Sequence, residues 1–208
     1  MRIDSAEQRL WRLLHDRGDL PVAAAESCTG GMVASRIIAV AGSSAYFRGS
    51  VVAYANQVKA KMLGVPQAVL DNPGAVSEAC ARAMAEGARA RLGAAIAVAT
   101  TGIAGPDGGT ARKPVGLVYI GIASDQGTFV EEHRFAGNRA AVITATTERA
   151  LALLVETVEA VLDKDVGYGP AGRTRAQRHR AQQGTRLKPA DNEWARSSSF
   201  SASKGLPS

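Results

Sequence analysis

Cysteine, histidine and aromatic residues are all scarce in this sequence. The 208-residue chain holds two Cys, three His and 5% aromatic residues. Cys28 and Cys80 are too few for a disulfide framework and lack C-x-x-C spacing. A reducing compartment, the cytoplasm, is therefore expected. His15, His133 and His179 lie far apart, none beside a turn motif, which speaks against a Ser-His-Asp triad. The same scatter, with isolated cysteines, speaks against a zinc site. Long apolar runs are missing too. Residues 94–100 form one of the longest, far short of the ~20 needed to span a bilayer. The first residues carry no apolar stretch behind a basic start, so no secretory signal is expected. Neither a Walker A motif nor G-x-G-x-x-G is present, which weakens nucleotide-hydrolase and dinucleotide readings.

Charge is abundant, but unevenly placed. The net charge of +6 suggests nucleic-acid binding until it is divided along the chain. Residues 1–164 carry 17 Lys/Arg against 16 Asp/Glu, and residues 165–208 carry 8 against 3. The excess belongs to a Gly-, Ser-, Gln- and Arg-rich tail without periodicity. Such a segment buries too little apolar area to offset its ordering entropy, so 165–208 is expected to be a disordered appendage. A weak electrostatic tether to nucleic acid is the alternative for this tail.

The remaining 1–164 read as one α/β domain. Residues 5–17 place Leu10, Leu13 and Leu14 on one helical face, and Gly18 is expected to end that helix. Strands are expected over 21–26, 50–55 and 94–101, and helices over 30–40, 56–63 and 77–92, the last with Ser77 as N-cap. Residues 115–124 and 128–135 flank Asp125-Gln126-Gly127 and predict an antiparallel hairpin. Residues 138–162 predict a long amphipathic helix. Strands alternating with helices before a hairpin indicate a three-layer α/β/α sandwich with a mixed sheet.

Two glycine-rich segments follow strands: Glu26-Ser27-Cys28-Thr29-Gly30-Gly31, and Thr100-Thr101-Gly102-Ile103-Ala104-Gly105-Pro106-Asp107-Gly108-Gly109. If those strands are parallel, both loops share the carboxyl-end edge where open α/β sheets bind ligands. Glycine lets backbone N–H groups come close to a ligand, and a helix starting after Thr29 adds partial positive charge, so the pair makes a candidate oxyanion or phosphate cradle. Ser27 is a candidate nucleophile, or else a plain N-cap, a role that Thr29 would fill equally well. Lysine is the candidate base left. Asn56 and Lys59, three apart, share a helical face, and Tyr54 can point into the same cleft. A desolvated Lys59 loses its proton near neutral pH; Lys61 is nearly as good a candidate, and a solvated surface lysine is the bland reading. Cys28, near a helix N-terminus that would lower its pKa, is a rival nucleophile. Cys80, on a buried-looking helix face, reads as packing.

Read together, these segments resemble one family. Ala25-Glu26-Ser27-Cys28-Thr29-Gly30-Gly31, then residues 42–50, Tyr54-Ala55-Asn56 with Lys59, Gly74-Ala75-Val76-Ser77-Glu78, residues 101–109 and Lys113-Pro114-Val115-Gly116 resemble, in order and spacing, the CinA C-terminal domain. Its stand-alone members are nicotinamide mononucleotide deamidases. The resemblance covers about residues 5–162. It implies a five-stranded, mostly parallel mixed sheet and hydrolysis of the carboxamide of nicotinamide mononucleotide to nicotinate mononucleotide and ammonia, without metal or cofactor. It also implies Ser27 as nucleophile, Lys59 with Tyr54 as activating groups, and Thr29, Gly30, Gly31, Asn56, Thr101, Gly102, Gly105 and Arg139 as substrate-binding residues, Arg139 at the phosphate end. A homodimer or higher homo-oligomer is implied as well. Three departures stand out: Ile143 replaces a frequent second basic residue, residues 47–50 are shorter than in many members, and no larger N-terminal domain precedes the match. The alternative, from another class, is a nucleotide-binding or adaptor module that kept the pocket without the chemistry.

Overall fold

The computed structural model describes residues 4–167. The expected tail, with its basic charge, otherwise lies outside the described residues. The elements in chain order are α1 (Ala6–Leu14), β1 (Val22–Glu26), α2 (Met32–Ile38), β2 (Phe47–Val52), α3 (Asn56–Leu63), a single turn α4 (Gln67–Val69), α5 (Glu78–Arg91), β3 (Ile96–Gly102), β4 (Leu117–Ser124), β5 (Gly127–Arg134) and α6 (Arg139–Gly167). The strands form one sheet in the order β2-β1-β3-β4-β5. β1 is parallel to both β2 and β3, while β4 runs antiparallel to β3 and β5. Four strands therefore point one way and only β4 opposes them, a mixed, mostly parallel sheet.

Alternation along the strands builds the layers. Val22 and Ala24 face a core shared with Leu10, Leu14, Val33, Ile37, Leu151 and Leu154, so α1, α2 and α6 cover one side. Ala23, Ala25, Ala97 and Ala99 face Leu63, Met84, Ala85 and Ala88, so α3 and α5 cover the other. This second side is lined by small residues, and α5 sits close to it. A Cβ on Gly121 of β4 would lie 2.7 Å from the Ala81 carbonyl oxygen. The Ser77 hydroxyl accepts from Cys80 N at 3.2 Å, which caps α5 as its sequence predicts. Among the described residues, no helix is long and apolar enough to cross a membrane.

Several boundaries differ from those the sequence suggests. α1 stops at Leu14, and Gly18 plays no part in ending it; the His15 N–H closes the last turn on the Trp11 carbonyl instead. β2 begins at Phe47, three residues early, because a bulge lets it pair with β1: Val22 faces Phe47 but Ala23 faces Gly49, leaving Arg48 without a partner. From Gly49 the register is regular, and it ends with Glu26 opposite Val52. α6 continues past residue 162 to Gly167.

Candidate active site

β1 and β3 are adjacent and parallel, with Glu26 opposite Thr100, so the two glycine-rich loops do leave the same sheet edge. The Ser27 N–H donates to the Thr100 carbonyl at 2.9 Å and pins the start of the first loop to β3. From the other neighbour, β2, the chain turns at Ala53 and Tyr54 into α3, which carries Lys59. The parallel order β2-β1-β3 thus brings Ser27 and Lys59 to one place from positions 32 residues apart.

The pair is buried: Ser27 is 9% exposed and Lys59 only 1%. Lys59 Nζ lies 3.0 Å from Ser27 Oγ and donates to the carbonyl oxygens of Ala53 at 2.8 Å and Tyr54 at 3.1 Å. No carboxylate pairs with it among the described residues. Desolvation therefore holds the ammonium below the usual 10.5. The two carbonyls can only accept. A neutral Lys59 gives both of its N–H bonds to them and turns its lone pair to the Ser27 hydroxyl. That arrangement can take a proton from Ser27 as its oxygen attacks an electrophile. Lys61, in contrast, lies on the exposed side of α3.

The first loop is organised differently from what its residue types suggest. Neither Ser27 nor Thr29 caps α2. The cap is the Glu26 carboxylate, 0% exposed, which accepts from Gly31 N at 2.9 Å and from Val33 N and Ala34 N at 3.0 Å. It also accepts from Thr29 Oγ1 at 2.7 Å and Ser50 Oγ at 3.1 Å. The donors of the α2 N-terminus are thereby consumed, and the helix is not a free cradle for a substrate anion. Gly31 takes φ +103°, where a side chain would be strained, and this lets its N–H turn back to Glu26. The N–H groups of Cys28 and Thr29, just after Ser27, meet no oxygen acceptor among the described residues. They are candidate donors for an oxyanion formed at Ser27. Cys28 is no rival to Ser27: burial pushes its thiol up to about 12, against the lowering expected from a helix end.

The other expected site residues fall into two groups. Arg139, the first residue of α6, donates to the Gly105 carbonyl at 2.9 Å and to the Tyr54 hydroxyl at 3.3 Å. Gly105 (φ +81°) has no room for a side chain, since a Cβ would lie 2.6 Å from Val115 Cγ1. Tyr54 thus spans the site: its carbonyl holds Lys59 and its exposed ring reaches Arg139. Its phenol is not what touches Lys59. The second group is turned inward or outward. Thr29 Oγ1 is engaged with Glu26 and Thr100 Oγ1, and Thr101 Oγ1 donates to the Ala75 carbonyl at 2.7 Å. Gly102 backs onto Val118. Asn56 and Gly30 are exposed, and Asn56 makes no hydrogen bond to Lys59. Ile143 packs against the core below the first turn of α6. Sequence reasoning overlooked Glu26 and the Ala53 carbonyl. For Glu26 the signal was there, an acid ending an otherwise apolar strand; a carbonyl leaves none.

Comparison with known proteins gives the family of the chain. The family model of the CinA C-terminal domain matches residues 3–158. A CinA-like protein of Geobacter sulfurreducens is 54% identical over 149 residues, 72% of this chain and 35% of that protein. A putative competence-damage inducible protein of Desulforudis audaxviator is 52% identical over 138 residues, 66% of this chain and 33% of that one. The match thus spans about a third of the length of these curated relatives. Among solved structures, competence/damage inducible protein CihA from Agrobacterium tumefaciens is 41% identical with a TM-score of 0.69, covering 75% of this chain and 97% of that one. A CinA superfamily protein from Klebsiella pneumoniae is 34% identical with a TM-score of 0.70, covering 74% and 96%. The chain belongs to the CinA C-terminal domain family.

Proposed function

We propose that the protein is an amidohydrolase that converts nicotinamide mononucleotide to nicotinate mononucleotide and ammonia. The observation that carries this reading is the buried Lys59 Nζ, 3.0 Å from Ser27 Oγ and fixed by two carbonyls. Lys59 takes the Ser27 proton as Oγ attacks the carboxamide carbon. The Cys28 and Thr29 N–H groups stabilise the oxyanion. Lys59 then returns the proton to the leaving nitrogen, the C–N bond breaks, and ammonia departs. Water, giving its proton to Lys59, attacks the resulting ester, and Ser27 regains its hydrogen.

Tyr54 links the two ends of the site: its carbonyl accepts from Lys59 and its hydroxyl accepts from Arg139. Arg139, the first residue of α6, makes the anion-receiving end with its guanidinium. The substrate therefore lies with its carboxamide over Ser27 and its phosphate toward Arg139. No metal or organic cofactor enters the scheme.

Purified protein incubated with nicotinamide mononucleotide is expected to release ammonia and nicotinate mononucleotide in equal amounts. No turnover would overturn the reading; calorimetric binding without turnover would favour the adaptor module. Arg139→Ala is expected to raise KM by about tenfold or more, the loss of one charge-assisted phosphate contact. Nicotinamide riboside, without phosphate, would then discriminate little between the variant and the wild type.

A further inference from the structure

One buried ionisable group takes no part in that chemistry. Glu26 ends β1, immediately before Ser27, and its carboxylate receives five donors from three segments: Thr29 and Gly31 of the loop, Val33 and Ala34 of α2, and Ser50 of β2. A surface helix of seven residues does not need this. Helix N-termini are ordinarily capped by a short side chain at the helix start, at no desolvation cost. Here the cap comes from five to eight residues upstream, and an anion is taken out of water to provide it.

The backbone of the same residue points the other way. The Glu26 carbonyl accepts from Ala53 N at 2.8 Å, and the Ala53 carbonyl accepts from Lys59 Nζ at 2.8 Å. Glu26 is thus bonded through its side chain to the turn that holds Ser27, and through its main chain to the turn that holds Lys59. The Ser50 hydroxyl adds a second tie to β2. Thr29 extends the network to Thr100 Oγ1, on the strand whose carbonyl receives Ser27 N–H.

We infer that Glu26 is a positioning residue that sets Ser27 at its distance from Lys59 and turns the Cys28 and Thr29 N–H groups toward the reacting carbonyl. The inference builds on the serine-lysine reading of the site, but not on the identity of the substrate. Glu26→Gln keeps the shape of the side chain and replaces one acceptor oxygen by an NH2 that faces donors. The loop must then shift, and a misplacement near 1 Å is enough to slow a reaction about 10²-fold.

The test measures kcat, KM and melting temperature for Glu26→Gln and Thr29→Val. Beside them it measures the rate at which a fluorophosphonate probe labels Ser27, followed by mass spectrometry. For Glu26→Gln, kcat and the labelling rate are expected to fall together by about 10²-fold, with KM within about threefold of wild type. Thr29→Val, which removes one of the five donors, falls in the same direction by a smaller factor. It carries the test if Glu26→Gln does not fold. A lower melting temperature with kcat and labelling within about twofold of wild type would reduce Glu26 to a helix cap and overturn the inference. So would a rise in KM alone. If the wild type labels but leaves nicotinamide mononucleotide intact, the substrate assignment fails while the labelling comparison still decides the role of Glu26. A wild type that neither labels nor turns over overturns both.

Discussion

Lys59→Met lowers the rate of ammonia release by about 10³-fold, the usual contribution of a positioned general base. Met fills the same space, so the loss reports the amine and not a cavity. Ser27→Ala falls at least as far, and the double variant no further than the worse single one, because the two groups act as one device. Wild-type activity rises with pH as Lys59 deprotonates, with the midpoint below 10.5 because burial favours the neutral amine. Stability carries the same signature without any substrate. Above the lowered folded value and up to about 10.4, the unfolded chain holds a proton that the folded chain has lost. Wild-type stability therefore rises with pH across that window and is least below it. Met has no such slope. The melting temperature of the wild type should gain on that of Lys59→Met as pH is raised through the window. Parallel curves would show that the ammonium is not desolvated.

Gly87→Ala is the substitution expected to do most harm away from the chemistry. In an isolated helix it would be stabilising by about 1 kcal/mol. Here a Cβ at position 87 of α5 would lie 1.9 Å from the Leu63 carbonyl oxygen and 2.8 Å from its carbon. That neighbour is backbone, so no rotamer change relieves the overlap, and α3 must move off α5. The cost is about 3 kcal/mol, the upper range for an overpacked core. For a chain of this size the melting temperature falls by roughly 10 °C. Because α3 carries Lys59, surviving folded protein should also have lost activity. Thermal unfolding and the ammonia assay on one preparation measure both. An unchanged melting point would mean that α3 and α5 are not in contact at Leu63.

That close approach could not be read from the sequence, which shows only an Ala-rich helix with a glycine in it. The elements themselves were legible because β1, β3 and β4 are buried on both faces and preceded by glycine or proline, and because the hairpin has its Asp125-Gln126-Gly127 turn. The sheet-edge position of the two loops followed from strand alternation. The meeting of Ser27 with Lys59 did not, since spacing along the chain cannot say which side of a short helix faces a neighbouring strand. The hydroxyls of Thr29 and Thr101 have partners within the protein. Both are the right residue types to bind a ligand, yet both are used to join segments of the loop edge. Tyr54 serves two ends of the site, its main chain accepting from Lys59 and its hydroxyl from Arg139, a division that spacing does not show.

The unpaired Arg48 in β2 has a consequence for how freely this part of the chain can change. Everything that ties β2 to the reacting groups, from Gly49 onward to Val52 and the Ala53 carbonyl, lies downstream of it. A residue gained or lost before Gly49 is expected to leave the pairing of Gly49–Val52 with Ala23–Glu26 intact, and with it the distance of the amine from the hydroxyl.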